Sequence, residues 1–326
     1  MHIQSTFSPA PVEPPLYSGE AAEAYDAVGR HYQCYADGET GGLFDFSSRY
    51  SFADQQVWMQ LDARLMAMAA QGRRDVSILD VGCGPGTWLC RIIHRAGMLG
   101  FTAITARGFD VSPAMIALAR DSVGKATSEL GPVEVHVSVE TGDACDRLAQ
   151  ADRSVDLCLC LYGVLNHLPR RSLPGVAAEL ARVTRGELFL TVRAAGSMPT
   201  IYVDSIDRAR SFRQDNIADR MEVDMLDGQH LSFHSHLFRS ADLTGLFGPH
   251  LASMTLTGLD LFHSRFATDP RWNPDELAAE AVFAGQLVRL EQSYAHDPDF
   301  MDRAAHIMLT GRPAAHLDRP TGRRLS

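Results

Sequence analysis

The chain has no run of about 18 consecutive apolar residues, so no stretch reads as a membrane-spanning helix. Its opening residues, MHIQSTFSPAPVEPP, lack the basic start and apolar core of a secretory signal. Basic charge is also scarce, with 30 Lys and Arg against 40 Asp and Glu and a net charge of −10. A nucleic-acid binder needs a basic stripe to neutralise phosphates, and the pairs Arg73–Arg74, Arg170–Arg171 and Arg323–Arg324 do not make one. The 6 cysteines, at 34, 83, 90, 145, 158 and 160, fit neither a disulfide framework nor a zinc site. Cys158 and Cys160 stand two apart in the apolar run VDLCLCLY, so on a strand they share a face and read as buried thiols. These absences argue against nucleic-acid, membrane and metal partners. They leave the expectation of a cytoplasmic protein with a small-molecule partner, its oligomeric state open and a homodimer allowed.

What is present is ordinary globular material, 45% hydrophobic and 21% charged over 326 residues. Residues 1–20, rich in Pro and Ser, read as a mobile N-terminus. Residues 21–52 carry Tyr25, Tyr32, Tyr35, Phe44, Phe46 and Tyr50 among glycines, and read as short helices and a loop. In 54–70, Val57, Leu61, Leu65 and Met68 recur at helical spacing with Asp54 as the N-cap.

Strand and helix then alternate. Strands are expected at 76–81, 104–109, 133–139, 155–161 and 187–192, with helices at 86–97, 113–122 and 172–183. Nearly continuous apolar strands between helices predict an α/β fold: a doubly wound, mostly parallel sheet with helices on both faces. Its ligand belongs outside the carboxyl ends of the strands, at the switch point. Residues 194–220 read as polar and partly helical, and an inserted β-hairpin follows with its turn at Asp227–Gly228. A strand at 251–262, a helix at 274–293 and a last strand at 305–311 complete the domain, 53–312. Residues 313–326 read as a disordered tail.

The chemistry starts at ILDVGCGPGTWL, residues 78–89. Gly82, Gly84 and Gly86 follow a strand and open a helix, where bare, positive-φ residues let a ligand approach the backbone beside unpaired N–H groups. A dinucleotide fingerprint would place its third glycine at position 87, which is Thr87. Asp80, ending the strand, would repel a pyrophosphate and attract a cation. That combination favours a sulfonium cofactor over NAD.

With these features the chain resembles the class I S-adenosylmethionine-dependent methyltransferases of small-molecule type. The resemblance implies seven strands, the last antiparallel. It places the cofactor's methionine part against Asp80, Gly82, Cys83, Gly84 and Gly86, and its ribose hydroxyls on Asp110, beside Val111 in GFDVSP. Adenine would lie near Asp143 and Ala144 in TGDAC, and the reacting methyl near Leu161 and the segment after the fourth strand. The implied cofactor is S-adenosyl-L-methionine, leaving as S-adenosyl-L-homocysteine.

On the acceptor side, Tyr162, Asn166 and His167 are the candidate catalytic groups, the first two orienting and the histidine a potential base. AYDAVGRHYQCYA resembles the lid of many small-molecule members, with Tyr32 toward the cofactor and Tyr25 and Tyr35 toward substrate; Arg49, at no fixed spacing from a motif, is a further candidate carboxylate anchor on the substrate side. In the insertion, 194–239, alternation places His230, His234 and His236 on one face. No carboxylates accompany them as metal ligands, and the resemblance suggests His234 and His236 as acceptor contacts. The expected reaction is methyl transfer to nitrogen, oxygen or sulfur of a small metabolite, including an amino-acid-like one such as methionine through its thioether. Two rivals remain: a nicotinamide-dependent oxidoreductase and a non-catalytic S-adenosylmethionine-binding protein.

Overall fold

The computed structural model describes residues 18–29, 42–46, 51–131, 133–197, 209–263 and 280–314. The expected alternation is there: β1 (Asp75–Val81), α3 (Thr87–Met98), β2 (Ala103–Asp110), α4 (Pro113–Ser128), β3 (Glu134–Thr141), β4 (Val155–Cys160), α5 (Leu173–Val183) and β5 (Thr184–Arg193). Two helices precede it, α1 (Ser18–Val28) and α2 (Ser51–Ala70). After it come β6 (Ala209–Asp215), β7 (Arg220–Met225), β8 (His230–His234), α6 (Ser240–Phe247), β9 (Leu251–Leu259), α7 (Glu280–Tyr294), α8 (Pro298–Met301) and β10 (His306–Pro313).

Among the described residues, seven strands form one sheet in the order β3-β2-β1-β4-β5-β10-β9. The first five run parallel, and β10 lies antiparallel to both β5 and β9. Every residue of β4 is buried. Leu157 and Leu159 face the core under α2, α3 and α4, whereas Cys158 and Cys160 face the one under α5 and α6. This explains why the strand reads as a continuous apolar run rather than an alternating one. The chain leaves β1 toward β2 on one side and returns to β4 on the other, so a crevice opens above the carboxyl ends of β1 and β4.

Three expectations change. Residues 209–215 are strand, not helix, and make the insertion a three-stranded antiparallel sheet, β6-β7-β8. The turn at Asp227–Gly228 stands, with Gly228 at φ +90°. The second helix begins at Ser51, so Asp54 lies in its first turn instead of capping it. Val57, Leu61, Leu65 and Met68 are fully buried as their spacing predicts. The basic pairs are partly structural: Arg73 and Arg185 clasp buried Asp156, and Arg170 clasps Asp219. Among the described residues, no helix is long and apolar enough to cross a membrane.

Candidate functional site

The turn from β1 into α3 is held by two N–H groups, Gly82 and Cys83, both donating to the Phe109 carbonyl at 2.9 Å. Gly82, Gly84 and Gly86 take φ of +71°, +51° and +83°. A Cβ on Gly82 would run into the Val164 side chain. Gly86 serves another purpose, since a Cβ there would meet Ala119 and Val123 of α4 at 3.2 Å. Its bareness lets two helices approach, and it does not line the crevice.

Two cavities share this loop. The larger spans about 670 Å³, counting the space where it opens to solvent. Gly82, Gly84, Asp110, Val111, Asp143 and Ala144 line one part of it, and Tyr25, Leu161, Tyr162 and His167 another. The smaller, about 460 Å³, is lined by Asp54, Asp80, Cys83, Trp88 and Arg91, again with Leu161 and Tyr162.

Asp110, at the end of β2, accepts from the Gly84 N–H and the Ser112 N–H, each at 2.9 Å. Burial raises its carboxyl, and these bonds oppose the rise. Asp143 accepts from the Cys145 N–H at 2.8 Å, which fixes the turn after β3. Asp80 is 2% exposed, and its Oδ2 has no hydrogen-bond partner among the described residues. Burial, reinforced by the nearby charge of Asp110, pushes its carboxyl up to about 8. A buried carboxylate oxygen without a partner calls for a cationic or hydrogen-bonding ligand. The orphaned Asp80 oxygen and the Gly82 cradle therefore fit a ligand with a sulfonium and an ammonium group.

On the opposite side, His167 Nδ1 lies 2.9 Å from the His234 carbonyl, which can only accept, so Nδ1 carries the proton. Nε2 then accepts from the Tyr25 hydroxyl at 3.1 Å. Burial brings His167 down to about 4, so the ring is neutral at ordinary pH. Tyr162 adopts φ +54° and Gly163 φ +90°, two successive left-handed residues just past β4. The Tyr162 N–H donates to Thr191 Oγ1 at 2.6 Å, and its hydroxyl donates to Asp54.

Some expected residues stand elsewhere. Asn166 is fully buried and does not line the cavities. Its Oδ1 accepts from the Arg193 N–H, and its Nδ2 donates to the Arg193 and His236 carbonyls. It braces the loop and is not turned toward an acceptor. His236 is buried, with Nδ1 bonded to Asp219 and its ring against Phe238, so neither it nor His234 lines the cavities. His230 points away to Asp224. Among the described residues no His, Cys, Asp and Glu side chains gather as a metal site. Tyr32, Tyr35 and Arg49 lie outside the described residues.

The crevice also contains groups the sequence did not flag. Asp54, Trp88 and Arg91 line the smaller cavity, and Phe109, Val164 and Leu168 line the larger. The one available signal was Arg91 itself, a lone charge inside LCRII.

Residues 78–187 match the family model of a methyltransferase domain. No curated protein matches the chain. Similar solved structures include magnesium protoporphyrin IX methyltransferase from Synechocystis PCC 6803 with bound SAH, 18% identical over 64% of this chain and 78% of that one, TM-score 0.38. Another is the CcbJ methyltransferase from Streptomyces caelestis, 14% identical over 78% of this chain and 96% of that one, TM-score 0.45. A third is geranyl diphosphate C-methyltransferase from Streptomyces coelicolor A3(2), 12% identical over 74% and 71% of the two chains, TM-score 0.41.

Proposed function

We propose that the chain, whose residues 78–187 match a methyltransferase domain, is a class I S-adenosylmethionine-dependent methyltransferase that methylates a small metabolite held between the cofactor and α1. The observation that carries the size of the acceptor is the cover over the crevice. Ala21 and Tyr25 of α1 line the larger cavity from above. Three ties hold that helix down: Tyr25 to His167, Asp26 to Ser112 Oγ at 2.5 Å, and Glu20 to Arg220 of the inserted sheet at 3.0 Å. A covered cavity suits a compact ligand better than a polymer. In this reading residues 21–52 are a lid, 194–239 a wall-building insertion, and 53–312 the methyltransferase domain.

When bound, S-adenosylmethionine supplies a methyl group already activated on a positive sulfur, so the protein's task is alignment and exclusion of water. Asp110 would accept from the ribose hydroxyls beside the loop N–H groups of Gly84 and Ser112 that hold its carboxylate in place. Asp143, Ala144 and Val111 would frame the adenine. Asp80 would face the cationic methionine end, beside Gly82, Cys83 and Gly84. Leu161 and Tyr162 border both cavities and so flank the reacting centre. His167, neutral and accepting from the Tyr25 hydroxyl, would hold the Tyr25 ring beside the acceptor.

A labelled methyl donor incubated with pooled amines, amino acids, thiols, thioethers and phenols tests the proposal. Label in a small product supports it. Label only in added protein, RNA or DNA would refute the small-acceptor reading.

A further inference from the structure

Tyr162 stands where the two cavities join. Its ring lies over Trp88, 5.9 Å between centres and 23° between planes, and meets His306 of β10 edge-on at 5.5 Å. Its hydroxyl donates to Asp54 Oδ1, and Asp54 Oδ2 lies 3.7 Å from Arg91 Nη1. Arg91 is pinned: Nε donates to the Leu43 carbonyl at 2.8 Å, and the guanidinium carbon sits 4.7 Å from the ring centres of both Phe46 and Trp88. Asp54 is 8% exposed and Arg91 2%.

A buried ion pair is poor evidence of added stability, because desolvation cancels much of the attraction. Holding a tyrosine at φ +54° costs a further 1–2 kcal/mol or so. Both expenses fall at the wall of a ligand cavity, on a hydroxyl that is hydrogen-bonded to a carboxylate. The oxygen of such a hydroxyl can accept a proton from a ligand while passing its own to the carboxylate.

Resting on the methyltransferase reading above, we propose that Asp54 and Tyr162 form a proton-accepting pair toward the methyl acceptor, whose reacting atom is therefore an amine nitrogen or a hydroxyl oxygen and not a thioether sulfur. The acceptor's lone pair forms the bond to the methyl carbon, while the carbon–sulfur bond breaks and leaves its electrons on sulfur. The acceptor's proton goes to the Tyr162 oxygen, and Tyr162's own proton goes to Asp54. The positive charge on sulfur and the negative charge on Asp54 vanish together, and Arg91 keeps its own charge against the Leu43 carbonyl and the Phe46 and Trp88 rings. A thioether has no proton to give, and its product would keep both charges.

The groups facing Asp54 suit the role. Arg91 from α3 and the Tyr162 hydroxyl favour its ionised form, while burial raises its carboxyl above the usual carboxylate range. Asp80 shares the cavity from the end of β1, and His306, against the Tyr162 ring, is kept neutral by burial at about 3. A base raised toward neutrality takes a proton more effectively than a surface aspartate.

The test uses the full chain, labelled methyl donor and two acceptor pools, one of amines, alcohols and phenols and one of thioethers. The expected result is label in the first pool, with Asp54→Asn and Tyr162→Phe each lowering kcat by about 10²-fold or more. S-adenosylhomocysteine should still bind both variants by calorimetry, a split that loss of folding would not produce. The rising limb of the wild-type pH–kcat profile should disappear in Asp54→Asn and return in part in Asp54→Glu. Should Asp54→Asn not fold, Tyr162→Phe carries the test alone, because it leaves the Asp54–Arg91 pair in place. Label in the thioether pool, label in neither pool, or unchanged kcat and pH profile in the variants overturns the proposal. Failure of the wild type to bind S-adenosylhomocysteine would instead remove the reading on which it rests.

Discussion

On the floor of the crevice, Asp80, Gly82, Gly84, Asp110 and Asp143 all stand within a few residues of the end of a strand. On its wall, Tyr25 meets His167 across 142 positions and Asp54 meets Tyr162 across 108. The floor is a set of local turns held by backbone bonds, such as Gly82 and Cys83 donating to Phe109. The wall is a set of side chains that meet only after the sheet has formed. A floor built this way suits a constant ligand, since its shape follows from the strand order itself. A wall built from distant segments can vary with the acceptor while the floor stays the same.

The comparison can be broken most forcefully at Asp110. Asp110→Ala removes the acceptor of two loop N–H groups as well as the proposed ribose contacts. S-adenosylhomocysteine affinity should fall by about 10²-fold or more, at about 1.5–3 kcal/mol per charged hydrogen bond. Calorimetry showing affinity unchanged would remove Asp110 from the floor.

Asp80 gives a pH signature. Its carboxyl is neutral below about 8 in the free protein, and a cationic ligand needs the carboxylate. Affinity for S-adenosylmethionine should therefore rise with pH toward about 8 and level off beyond it. Stability follows the opposite sign. The folded carboxyl holds its proton more tightly than the unfolded one, so this group's contribution falls as pH climbs from about 4 to about 8, by up to about 1.4 kcal/mol per unit. Asp80→Asn should flatten both trends, and melting curves across that range check it.

Gly82→Ala sharpens the comparison from within the floor. The φ of +71° should cost about 1–2 kcal/mol, and the encounter with Val164 somewhat more. Adding Val164→Ala should recover the steric part and leave the backbone part. Equal melting temperatures for the single and double variants would show that the Val164 contact does not matter.

The smallest effect belongs to the proposed lid. Glu20 and Arg220 are about one-third exposed, so a double-mutant cycle should give a coupling of only about 0.2–1 kcal/mol, weakening with salt. A larger, salt-insensitive coupling would make the lid part of the folded core.

Most of the floor was legible because its causes are local. The spacing of Gly82, Gly84 and Gly86 encodes a strand-to-helix turn, and the apolar runs at 76–81, 104–109 and 155–161 encode strands covered on both faces. Even there Gly86 differs from expectation: its missing side chain makes room for Ala119 and Val123, which spacing alone does not reveal. The wall was legible only in outline. Asp54 reads as a helix cap because it heads an apolar repeat, and only the extra turn back to Ser51 brings it inside, against Tyr162 and Arg91. His234 and His236 read as acceptor contacts by alternation, but β8 ends at His234 and the chain turns His236 onto Asp219.

By itself the sequence determined the sheet, the glycine loop and, through Asp80 and the missing third glycine, the preference for a sulfonium over a pyrophosphate. These follow from periodicity, φ preference and charge, which act over a few neighbouring residues. The tertiary structure alone decided which side chains close the crevice and which carboxylates lose water. Burial and the pairing of Asp54 with Tyr162, and of Tyr25 with His167, depend on segments more than 100 residues apart being brought together by the core.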